Sequence, residues 1–300
     1  MSYQKPFLKW VGGKTQMIDL LMQKFPKHVN NYHELFLGGG SVLFAFLTLV
    51  KNNKITINGK IYAYDLNNDL INIYKQIQSN KDKFYDYTQR IIKEYDSIGD
   101  FKGMKKPTTK QEALTSKESY YYWIRHKYNS IKKNTAKHAA IFLFLNKIGF
   151  RGMYREGPNG FNVPFGHYKK TPVLINKQEL DKISFLIQDV VFTQSNFINS
   201  IQNCIEGDFV YLDPPYVPEN KTSFVGYTSG GFDMSLHMKL FDAIIQIYDN
   251  NVKFLMSNAK VSIVIDKFSD PKFTKEDVIA RRSINSKNPA AKTTEIMIFN

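Results

Sequence analysis

The stretch "YHELFLGGGSVLFAFLTLV", residues 32–50, changes pattern twice. Residues 32–37 read as a short buried strand, three glycines follow, and a mostly apolar run then reads as a buried helix. A strand that stops at glycines and restarts as a helix is the repeating step of an α/β protein. Glycine permits the tight turn and lets a ligand come close to the backbone. Outward from this step, "KIYAYDLN" (60–67) is a second strand, ending in an acid. Strand signals return at "DVVFTQ" (189–194), "DFVYLD" (208–213), "VKFLMSN" (252–258) and "TTEIMIF" (293–299), while "SLHMKLFDAIIQIY" (235–248) has helical spacing. The alternation predicts a mainly parallel, Rossmann-like sheet with ligands at the carboxyl ends of its strands. Residues 67–148 interrupt it with a mostly helical pattern rich in Lys and Tyr. The expected organisation is one domain from 1–66 and 189–300, with 67–188 inserted as a second.

The bulk numbers narrow the function. A formal charge of +14 over 300 residues argues for a polyanionic partner, nucleic acid above all, against the plainer reading of a generally lysine-rich chain. The longest apolar runs, "SVLFAFLTLV" and "AAIFLFL" (139–145), are too short to span a bilayer, so no membrane partner is expected. No secretory signal opens the sequence, and a cytoplasmic, DNA-associated location is expected. The single cysteine, Cys204, excludes an internal disulfide and a cysteine-built zinc site, and no metal is expected.

Three segments carry candidate chemistry. In "FLGGGS" (36–41), Phe36, Gly38 and Gly40 form a close-approach turn, but Leu43 stands where a dinucleotide fingerprint needs a small residue. Asp65, ending the next strand, reads equally as an acceptor for ribose hydroxyls or as a strand-end capping acid. "FLKWVGGK" (7–14) is a second glycine turn flanked by Trp10 and Lys14, without Walker A spacing. "VYLDPPYVP" (210–218) ends a strand at Asp213, Pro214, Pro215 and Tyr216. Two prolines stiffen the backbone and leave their carbonyls as acceptors. An exocyclic amine can then donate one N–H to Asp213 and one to the Pro214 carbonyl. Its lone pair becomes a nucleophile while the base stacks on Tyr216. A base inside a duplex reaches such a site only when flipped out.

The chain resembles the Dam family, the α-class of DNA adenine-N6 methyltransferases. The motifs "FLKWVGGK", "ELFLGGGSV", "YAYDLN", "FLFLNKIGFRGMYREGPNGFNVPFGHYKK" and "VYLDPPY" carry the resemblance, in that order and over nearly the whole length. It implies a SAM-dependent methyltransferase sheet with an inserted, mainly helical DNA-recognition domain carrying a β-hairpin. It also implies S-adenosylmethionine as methyl donor and S-adenosylhomocysteine as product. By this resemblance Trp10, Lys14, Glu34, Phe36, Gly38, Gly40, Asp65, Asn196, Phe197 and Asp213 hold the donor. Glu34 would meet its ammonium, and Asn196 and Phe197 would flank its adenine. Asn196 stands where relatives often carry an acid. Asp213, Pro214, Pro215 and Tyr216 would be catalytic.

The resemblance further implies double-stranded DNA as partner, a short palindromic site, and a monomer or weak dimer. Residues 150–170 look like the recognition hairpin. Arg155 would read a guanine edge, Phe150 and Met153 would wedge into the stack, and Lys9 would read the outer base pair. Asn162, Tyr168, Lys169 and Lys170 would bind phosphate. Arg151, counted with these DNA-binding residues, stands where relatives carry asparagine; GATC is the first expectation because Lys9 and Arg155 are kept, and the substitutions in this segment leave CATG as another. "VPENKTSFVGYTSGGFD" (217–233) is expected to be a lid, and "RRSINSKNPAAK" (281–292) to be a basic loop that approaches DNA or a plain surface loop. Rival readings are a cytosine-N4 or RNA adenine methyltransferase, and a silent nucleic-acid-binding module.

Overall fold

The computed structural model describes residues 2–99, 103–218, 231–281 and 292–300. Positions 219–230 of the expected lid and 282–291 of the expected basic loop lie outside the described residues. The chain forms two compact units. The first comprises Met1–Lys5, Gly12–Leu66 and Asp189–Asn300, and the second comprises Pro6–Val11 and Asn67–Gln188.

The first unit is a mixed α/β layer structure around a seven-stranded sheet. We number its strands β1 (Tyr32–Glu34), β2 (Ile61–Asp65), β3 (Val190–Gln194), β4 (Phe209–Leu212), β5 (Lys253–Ala259), β6 (Thr274–Arg281) and β7 (Lys292–Phe299). Their spatial order is β6-β7-β5-β4-β1-β2-β3. β1 to β5 pair in parallel, and β7 alone is reversed, running antiparallel to both β5 and β6. All four residues of β4 are buried, as a parallel strand covered on both faces requires. Alternate side chains serve opposite faces. Val210 and Leu212 join Leu240, Ile244, Phe254 and Met256 in one core. Phe209 and Tyr211 turn to an aromatic cluster, in which Phe25 meets Phe209 at 4.7 Å and Tyr32 stacks on Phe46 at 4.0 Å.

The chain runs outward from β1 through β2 to β3, then returns to lay β4 on the other flank of β1. The direction of winding therefore reverses between β1 and β4. Ligands of open α/β sheets bind in the crevice at such a switch point. The register sets Glu34, the last residue of β1, opposite Tyr211, two residues before Asp213. β6 escaped the sequence reading because "TKEDVIAR" shows no apolar alternation. It is an edge strand, and charge on an edge blocks further pairing.

The second unit is helical. Its helix Ala136–Ile148 is buried on nearly every side, as a helix apolar all round must be. Helices Asn68–Ser79, Lys81–Asp96, Lys117–Ser130 and Lys177–Leu186 belong to the same unit. The side chains of Asn67, Ser116, Thr135 and Asn176 cap four of these five helices. Two two-residue strands, Glu156–Gly157 and Gly160–Phe161, close an antiparallel hairpin. Residues 6–11 pack with this unit, although sequence alone groups them with residues 12–66. Phe7 is buried against Tyr74 at 5.6 Å. The Lys9 backbone exchanges hydrogen bonds of 2.9 and 2.7 Å with the Asn146 side chain.

Candidate active site

The glycine turn after β1 adopts the conformation its sequence allows. Gly38 and Gly40 have φ of 51° and 71°, in the left-handed region that disfavours any residue with a Cβ. Gly40 is also the N-cap of helix Ser41–Lys51. The Gly38 N–H donates to Asp65 Oδ2 at 2.9 Å, so one oxygen of that acid holds the turn in place.

Glu34 lies beneath the turn, only 2% exposed. It accepts the Tyr32 hydroxyl at 2.7 Å and the backbone N–H of Leu43 at the start of the helix. Burial pushes its carboxyl up to about 8, the two hydrogen bonds oppose the shift, and the charge of Asp213 adds to it. A carboxyl in this state is largely neutral near pH 7 and ready to ionise when a cation arrives.

Asp213 follows β4 directly. Lys14, itself buried, ion-pairs with Asp213 Oδ1 at 2.8 Å and donates to the Gly12 carbonyl at 3.0 Å. Its backbone N–H donates to Ser41 Oγ at 3.0 Å, which ties this second glycine turn to the helix after the first. Burial raises the Asp213 pKa, the Lys14 ammonium opposes that, and Glu295 adds to it. The ammonium of Lys14 also sits over the Tyr216 ring, 4.8 Å from its centre. The Tyr216 hydroxyl donates to Glu295 Oε2 at 2.7 Å. The next residue is pinned as well, since the Val217 N–H donates to Asn258 Oδ1 at 3.1 Å.

Near the same turn, Phe36 packs against Phe197 and Phe232 at 5.9 and 6.1 Å. Asn196 caps the short helix Phe197–Ile201, accepting the Asn199 N–H at 2.9 Å. Its oxygen therefore has a structural task, besides the expected place beside an adenine. Lys14, Glu34, Phe36, Gly38, Gly40, Asp65, Asn196, Phe197 and the tetrapeptide all belong to the first unit. Trp10, expected with them, belongs to the second, where it packs against Phe142 and Tyr154 at 6.5 and 5.7 Å.

In the second unit, Arg155 precedes the hairpin and is exposed. Its Nε donates to Asn162 Oδ1 at 2.6 Å and its Nη2 to the Asn162 carbonyl at 3.2 Å, which fixes the guanidinium plane. Asn162 thus orients the arginine, a role the sequence reading did not give it. Phe150 is 41% exposed, with the Arg151 guanidinium 5.2 Å from its ring centre. Lys9 lies beside the same segment. Its Nζ donates to the Lys147 carbonyl and the Tyr168 hydroxyl at 3.2 and 3.1 Å. Lys169 and Lys170 are exposed, and Met153 is half-buried. Sequence reasoning missed Tyr32, Ser41, Asn258 and Glu295. Only Glu295 left a trace, as the lone charge in the strand signal "TTEIMIF".

The arrangement is that of an α/β enzyme that presents a half-buried acid, a stiff turn and an aromatic ring at a sheet switch point. The chain belongs to the family of D12 class N6 adenine-specific DNA methyltransferases, whose model matches residues 10–284. It is 32% identical over 308 residues to the Type II methyltransferase M.MjaIII of Methanocaldococcus jannaschii, covering 99% of each chain. It is 29% identical to the DNA adenine methylase of Haemophilus influenzae, over 95% of this chain and 89% of that one. For the Escherichia coli K12 DNA adenine methylase the identity is 26%, over 99% and 95%. DNA is the substrate class of this family. Among the described residues, no helix is long and apolar enough to cross a membrane, and no acid, His and Cys cluster suited to a metal occurs.

Proposed function

We propose that the protein transfers a methyl group from S-adenosylmethionine to N6 of an adenine flipped out of a short palindromic duplex site. GATC is the first candidate and CATG the second. The observation that carries this reading is the position of Asp213. It follows β4 across the switch point from Glu34, with Lys14 and Tyr216 beside it. The donor supplies an electrophilic sulfonium methyl carbon.

The residues of the first unit fit such a donor. The left-handed glycines allow close approach to its amino-acid part. Glu34, neutral when alone, ionises against its ammonium, and Lys14 meets its carboxylate. Asp65 would hold the ribose, and the packed rings of Phe36 and Phe197 would border the adenine.

Asp213 and the Pro214 carbonyl each accept one N–H of the target amine. They draw its lone pair out of the ring and orient N6 for attack. The bound donor would supply the methyl group, the C–S electron pair returning to sulfur as the N–C bond forms, and N6 would then give up one proton to solvent or to Asp213. Tyr216 is the stacking surface for the extruded base. The helical unit is the DNA-recognition domain, with Arg155 reading a guanine edge and Lys9 the outer base pair. Phe150 and Met153 enter the stack, while Tyr168, Lys169 and Lys170 bind phosphate.

The test is expression with plasmid DNA, mapping of modified bases by sequencing, and digestion of product to nucleosides. N6-methyladenine at one short palindrome is the expected result, and its loss in Asp213→Ala assigns the step to that acid. Methyl groups on cytosine N4 or on RNA alone would replace this reading by one of its rivals. Undiminished transfer by Asp213→Ala would remove the mechanism.

A further inference from the structure

The tetrapeptide explains why residues 213–216 are stiff, but it does not explain how the Tyr216 ring is held. Prolines restrict the backbone and leave the tyrosine side-chain torsions alone. A stacking surface that swings by a fraction of an ångström misplaces the nucleophile, and misplacement is costly in rate.

The structure assigns Glu295 as a positioning residue for methyl transfer, acting through the phenol of Tyr216. Glu295 Oε2 accepts the Tyr216 hydroxyl at 2.7 Å from a residue 79 positions away in sequence. The backbone of Glu295 is gripped on both sides, since β7 pairs Glu295 with Val278 of β6 and with Ala259 of β5. An acceptor carried by a doubly paired strand is a firmer anchor than one on a loop. The Lys14 ammonium, 4.8 Å from the ring centre, adds a second restraint on the same ring. A third comes from the neighbouring backbone, where Asn258 holds Val217. The acid thus sets the plane against which the extruded adenine lies, and so the angle at which N6 meets the methyl carbon.

The inference rests on the adenine-N6 reading, so the test separates the two. Glu295→Ala, Glu295→Gln, Tyr216→Phe and the Glu295→Ala/Tyr216→Phe double variant are compared in single-turnover methylation. Emission of 2-aminopurine at the target position is measured in the same complexes. Glu295→Gln and Tyr216→Phe are near-isosteric, and donor binding by each confirms that the first unit is folded.

The expected result is that Glu295→Ala and Tyr216→Phe each lower the transfer rate roughly tenfold, with donor affinity unchanged. The double variant loses no more than Tyr216→Phe alone, because removing the phenol hydroxyl already removes its contact with Glu295, along with its hydrogen bond to Asp213. Glu295→Gln, which keeps an acceptor, recovers most of the rate. The 2-aminopurine signal brightens in Glu295→Ala and Tyr216→Phe as stacking loosens, and stays near that of the unaltered protein in Glu295→Gln. Losses that multiply to roughly a hundredfold in the double variant would overturn the assignment. So would unchanged transfer and emission in Glu295→Ala. Should the unaltered protein place no methyl on adenine, the functional reading fails, and the emission comparison still reports whether Glu295 sets the stack.

Discussion

At the scale of single residues, the candidate site is a set of buried groups whose charge states depend on one another. Glu34 is the clearest case. Its folded pKa of about 8 lies above the usual 4.5, so folding retains a proton that the unfolded chain releases. The contribution is whole below pH 4.5 and drains away as pH rises toward 8. The raised Asp213 pKa acts in the same direction. We predict that Glu34→Gln flattens the fall of melting temperature between pH 5 and 8, read by thermal melts at half-unit intervals. An unchanged slope would place the titration elsewhere. His237 shows the opposite sign. Burial lowers its pKa to about 4, and it sits edge-on to Phe232 at 4.7 Å. Its contribution is therefore whole above the ordinary value of 6.5 and lost as pH falls through 4.

At the scale of elements, the hairpin segment, which we propose reads DNA, shows a local backbone rule at work. Gly152 has φ of 64°, and a Cβ there would lie 2.4 Å from Lys9 Cβ. Gly152→Ala is expected to cost about 1–3 kcal/mol of stability and to displace Lys9, read by urea unfolding. A change inside about 0.5 kcal/mol would mean the turn tolerates a side chain. Arg155 and Asn162 act as a pair, because the guanidinium plane is set by the asparagine before any DNA arrives. Arg155→Ala is expected to relax discrimination at one base pair by about 1–3 kcal/mol, and Asn162→Ala to do so more weakly. Competition binding across single-base variants of the site checks both. Equal weakening at every site would make Arg155 a phosphate contact.

At the scale of the whole molecule, the charge of +14 dictates how DNA binding responds to salt. Each phosphate neutralised contributes a slope of about −0.9 in log affinity against log salt. Lys169→Gln with Lys170→Gln is expected to reduce that slope by about 2 and to leave base preference intact. An unchanged slope would return both lysines to solvent. The sheet, by contrast, owes little to charge. The central strand β4 is buried on both faces, and exposed or polar positions fall on the edge strands β3 and β6.

The sequence by itself determined the α/β alternation, the glycine turns, the strand-end acids, the rigid tetrapeptide and the helical character of residues 67–148. Each of these is written in short periodicities or in the stereochemistry of glycine and proline, which act on neighbours along the chain. Only the tertiary structure set β4 beside β1, paired Lys14 with Asp213, drew Pro6–Val11 into the helical unit and hung Tyr216 on Glu295. Those contacts join residues far apart in sequence. They depend on strand register and on which faces close over one another, and such pairings leave no periodic mark in the residues that make them.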